Sequence, residues 1–70
     1  MLDNKRVIIN VDKLLRTHHS VKFAEFLNAN REVVFTASLT AKYTQMYTLE
    51  EDNTNPKWMF FEDDLIEVCE

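Results

Sequence analysis

The sequence predicts a small, mainly β domain of order β–α–β–β–β–β, spanning residues 1–70 as a single unit. Three observations carry this. The stretches "EVVFTASLTA" and "YTQMYTLEED" alternate apolar and polar residues with the period of a strand. The segment after Ser20 switches to helical spacing. The turn signal "EDNTNP" separates the second alternating stretch from the apolar run that opens "KWMFFEDDLIEV".

In chain order, "KRVIINV" places β-branched Val7, Ile9 and Val11 at every second position, which suits a first strand. "DKLLRTHHS" is ambiguous. Leu14 and Leu15 fit a helical turn, but their phase does not continue, so a break is expected between Thr17 and Ser20. Ser20 then offers a hydroxyl to the orphan N–H groups of a helix over about residues 20–29. Phe23, Phe26 and Leu27 recur at i, i+3 and i+4 on its apolar face. Asn28 or Asn30 can take the left-handed conformation that ends a helix, in a chain that has no glycine.

Val33, Phe35, Ala37 and Leu39 share one face of the next strand, and Tyr43, Gln45, Tyr47 and Leu49 one face of its partner. Both read as half-buried antiparallel strands joined tightly around residues 40–42. Asn53 and Asn55 tolerate positive φ, and Pro56 suits the first position of a strand. Within that strand, Trp58 and Phe60 are expected to face the core. Met59 and Phe61 then point the other way, covered by the helix or partly open. "EDDL" makes a short turn or 3₁₀ bend, and Ile66 and Val68 form a closing strand.

Apolar residues make up 46% of the chain and eight residues are aromatic, enough for a core and too many for a disordered chain. The single cysteine, Cys69, permits no internal disulfide, so packing must hold the fold, as in a reducing cytoplasm. The opening "MLDNKRVIINV" lacks the apolar run of a signal peptide, and no stretch nears the roughly 18 apolar residues of a membrane span. Charge is unevenly laid out. Residues 1–42 hold seven bases against four acids, and residues 43–70 one base against eight acids, for a total of −4. An acidic pole of this kind attracts a basic partner or repels nucleic acid.

Motifs for chemistry are lacking. His18 and His19 are adjacent, so they diverge, and no further ligand stands at metal-binding spacing. Cys69 lies between Glu67 and Glu70, which disfavour a thiolate. The acidic clusters have no EF-hand spacing, and phosphate cradling by a glycine-rich loop is excluded. Paired carboxylates would need a pocket that so short a chain rarely encloses. The expectation is a non-enzyme with no cofactor and no metal.

The second half of the chain resembles a known family. "VVFTAS", "MYTLEED" and "KWMFFEDDLIEV" are similar, over residues 31–68, to the last three strands of small SH3-like barrels. These include the short proteins of this type carried by phages and prophages of Gram-positive bacteria. The resemblance implies an antiparallel SH3-like barrel with one inserted helix around residues 20–29, and a binding module rather than a catalyst. It does not name the ligand. The expected function is a cytoplasmic protein–protein interaction module, phage- or prophage-encoded, that binds and modulates a host or phage protein; its sharper form is an inhibitor of a nucleic-acid-handling system whose acids imitate phosphate charge. The expected site is an acidic, aromatic face. Glu50, Glu51, Asp52, Glu62, Asp63 and Asp64 supply charge, and Tyr47, Trp58 and Phe61 supply apolar anchors for a partner with a basic surface. Two alternatives stand beside it. One is a nucleic-acid-binding barrel using Lys5, Arg6, Arg16, Lys22 and Arg31, against which the net negative charge weighs; the other is a self-associating structural subunit.

Overall fold

The computed structural model describes residues 2–40 and 45–69. It contains β1 (Arg6–Ile9), α1 (Val11–Thr17), α2 (Val21–Ala29), β2 (Phe35–Leu39), β3 (Met46–Leu49), β4 (Phe60–Phe61), a 3₁₀ turn (Glu62–Asp64) and β5 (Leu65–Glu67). The fold is mainly β, with five antiparallel strands in the order β4-β3-β2-β1-β5. Among the described residues no ladder joins β4 to β5, so the sheet is not closed by backbone pairing.

Two helices, not one, are inserted between β1 and β2. The ambiguous segment folds because Asn10 Oδ1 accepts the Lys13 N–H at 3.4 Å, capping α1, while Val11 and Leu14 are buried. His18, His19 and Ser20 then reset the phase, and the Ser20 hydroxyl accepts the Phe23 N–H to start α2. The helix ends at Asn30, whose amide donates back to the Phe26 carbonyl at 2.7 Å.

β2 bridges two halves of the sheet. Phe35 and Thr36 pair with β1, whereas Ala37, Ser38 and Leu39 pair with β3. Where it changes partner, carboxylates replace missing strand acceptors. The Thr36 N–H donates to Glu51 Oε1 at 2.7 Å, and the Leu39 N–H to Asp3 Oδ1 at 2.8 Å. Both groups would otherwise lack ladder partners, which is costly for the part-buried Leu39 N–H.

The strand expected from Pro56 onward begins only at Phe60. The Trp58 N–H is taken by Asp52 Oδ2 at 3.1 Å, which holds residues before β4 to the loop rather than to β3. The closing strand is Leu65–Glu67, so Val68 falls just beyond it. The expected connection at residues 40–42 and Tyr43 lie largely outside the described residues.

Val7, Leu14, Leu27, Tyr47, Leu49 and Phe60 are the largest fully buried side chains, in a single core cluster. α2 covers one end of it, with the Phe23 ring 4.8 Å from Trp58 and 6.0 Å from Phe60, centroid to centroid. Asn4, Glu32 and Gln45 adopt φ of 65°, 60° and 68°, doing without glycine what glycine does most easily.

Candidate partner-binding face

The register of β3 with β4, Met46 opposite Phe61 and Tyr47 opposite Phe60, sorts the run at residues 58–61. Phe60 is 1% exposed, and Trp58 is half-buried against Phe23 and Phe26 of α2. Met59 and Phe61, on the opposite face, are 42% and 57% exposed. The helix therefore covers the Trp58 side and leaves Met59 and Phe61 open.

The nine residues expected to form the site do not all lie on one surface. Tyr47 is 1% exposed; its hydroxyl accepts the Leu2 N–H at 3.1 Å and donates to Glu62 Oε1 at 3.0 Å. It is a core residue with a satisfied polar tip, not a surface anchor. Asp52 is buried and accepts from the Thr54 N–H, the Thr54 hydroxyl and the Trp58 N–H. Asp64 is also buried. One oxygen accepts from Lys13 Nζ at 2.9 Å, and the other caps the Phe61 N–H at 3.1 Å. Side-chain carboxylates near turns take orphan backbone N–H groups readily, which explains both.

The surface acids are divided as well. Glu50 follows the end of β3 that lies away from Met46, four residues along or about 13 Å. Glu62 and Asp63 follow Phe61, at the Met46 end. Glu51 is exposed but engaged, holding Thr36 by both N–H and hydroxyl at 2.7 and 2.9 Å. Its slight burial pushes the carboxyl pKa up, but hydrogen bonds from Thr36 and its own backbone, with the charge of Arg6, carry it below the ordinary glutamate value. What the fold leaves exposed here is Met59 just before β4 and Phe61 within it, followed directly by the exposed Glu62 and Asp63 of the 3₁₀ turn. Met59 was missing from the expected anchors, although it shares the period-2 face of Phe61.

Elsewhere an open groove of about 400 Å³ lies over Ile8 and Ile66, with Asn10, Asp12, Arg31 and Glu32 among its walls. None of the nine expected site residues lines it. His18 Nδ1 is 2.9 Å from the Thr17 hydroxyl and its ring meets Phe23 edge-on, while Cys69 is exposed. Among the described residues no group of three or more His, Cys, Asp or Glu is placed to hold a metal, and no helix is long and apolar enough to cross a membrane. No protein-family model, curated protein or solved structure matches this chain.

Proposed function

We propose that this chain is a small, non-catalytic interaction module that binds a protein partner of basic surface through Met59, Phe61, Glu62 and Asp63. One observation carries the reading. Two large apolar side chains, Met59 just before β4 and Phe61 within it, are 42% and 57% exposed, and the chain runs directly from them into acidic residues. Apolar groups rimmed by charge are the usual make-up of a protein-binding patch. Two of the described bases are themselves engaged. Lys13 is paired with Asp64, and Lys57 Nζ donates to the Leu49 and Glu50 carbonyls at 3.2 and 3.1 Å.

We read the architecture as an SH3-like barrel with two inserted helices. The order β4-β3-β2-β1-β5, with β2 shared between two halves and a 3₁₀ turn between β4 and β5, supports this. An origin in phage or prophage, and action in the cytoplasm, extend the same resemblance. Phosphate mimicry finds less support. It wants a row of free carboxylates, whereas Asp52 and Asp64 are buried and Glu50 lies at the far end of β3.

Selection of a randomised peptide display library on the immobilised protein tests the reading. Peptides of net positive charge should be enriched, weakened by salt, and lost on Phe61→Asp. Enrichment of peptides indifferent to Phe61→Asp, or no basic enrichment, overturns it.

A further inference from the structure

Resting on that reading, we infer that the residue the patch recognises is an arginine, its guanidinium laid on the Phe61 ring and hydrogen-bonded by the Asp63 carboxylate. The 3₁₀ turn supplies the geometry. With three residues per turn, successive side chains leave about 120° apart. Glu62 is turned to the Tyr47 hydroxyl, and Asp64 turns back to the Phe61 N–H and Lys13. Asp63 takes the remaining direction. It is exposed, and its carboxylate has no partner among the described residues. Lys13 Nζ meets Asp63 only at the main-chain carbonyl, 3.2 Å away.

A carboxylate with no direct partner among the described residues therefore stands two residues along the chain from an exposed aromatic ring, and exposed Met59 lies two residues before that ring. The charge selects a cation and repels phosphate and anionic lipid alike. The flat apolar neighbour then selects among cations. A guanidinium is planar and weakly hydrated, stacks on a ring, and presents forked donors to a carboxylate. An ammonium is a strongly hydrated point charge that gains less from an apolar floor. The aliphatic stem of arginine can lie along Met59 while its head reaches Asp63.

Two small probes test this on the intact chain. Ethylguanidinium and n-butylammonium chlorides are titrated at matched ionic strength, with amide shifts followed by NMR. Saturable shifts should centre on residues 59–63, with guanidinium bound about three- to tenfold more tightly. Asp63→Asn should weaken both probes. Phe61→Leu, which keeps apolar area but removes the ring, should abolish the preference. Equal affinities, shifts spread over Glu25, Glu32 and Glu67, or a preference surviving Phe61→Leu would overturn the inference. The display peptides separate the two levels. If replacing arginine by lysine in a basic, Phe61-dependent peptide leaves its affinity unchanged, only the arginine falls; if no such peptides are selected, the partner reading falls with it.

Discussion

Lys13 Nζ sits 2.9 Å from Asp64 Oδ1, although 51 residues separate them in sequence. The contact fastens α1 to the 3₁₀ turn that follows β4, and the same carboxylate holds the Phe61 N–H. Asp64 is thus the joint between helix and turn. Asp64→Ala should cost about 2–3 kcal/mol, because a part-buried N–H and a cation both lose their acceptor. Lys13→Met, which keeps the stem, should cost under about 1 kcal/mol. Urea denaturation measures both, and an equal loss would contradict the assignment of Asp64 as the joint.

Phe60 and Phe61 are adjacent and chemically identical, yet the fold treats them oppositely. Phe60→Ala should destabilise by about 3–5 kcal/mol, enough to unfold much of so small a domain. Phe61→Ala should change stability by no more than about 0.5 kcal/mol. Unfolding followed by the fluorescence of Trp58 decides it; similar losses for the two would mean that Phe61 is packed.

Asp52 organises the loop before β4 through three accepted hydrogen bonds. Asp52→Ala should cost about 2 kcal/mol, a fall in Tm of roughly 10 °C for a domain of this size. The Trp58 environment should change with it, and an unaltered emission spectrum would count against a role in placing Trp58.

Glu51 gives the fold an acid-sensitive contact. Its carboxyl pKa is lower folded than unfolded, so the contribution is fully present above the unfolded value, near 4.3. It declines as pH falls through that value and is lost below the folded one. Glu51→Gln should lower stability at neutral pH and flatten the loss that begins as pH falls through the unfolded glutamate value. Parallel pH profiles for the variant and the parent would refute the assignment.

β2 and α2 were legible because their side chains repeat with a period, and the faces of the run at 58–61 because alternation assigns them, whereas β1 stops before Val11 and β4 begins only at Phe60. The segment at residues 11–17 was not, since two leucines make too short a pattern. Its decisive feature, the Asn10 cap, is a hydrogen bond rather than a period. The acidic, aromatic site was legible in outline and misread in detail. Asp52, Asp64 and Glu62 look alike in sequence, and only the backbone's need for acceptors distinguishes the buried pair from Glu62. Tyr47 was read as an apolar anchor because aromatic residues and acids stand close together in the sequence, whereas its ring is buried and its hydroxyl finds partners inside.

The three left-handed residues among those described carry a consequence for how the chain can change over generations. Asn suits such a conformation, but Glu32 and Gln45 hold it at a steric cost of about 1–2 kcal/mol each. Glycine at either position would relieve that cost and recover about 1 kcal/mol after its own greater freedom when unfolded is subtracted. Neither residue belongs to the buried core. A single such substitution would offset a mildly damaging one elsewhere, so the exposed face of β4 has room to evolve without loss of the fold.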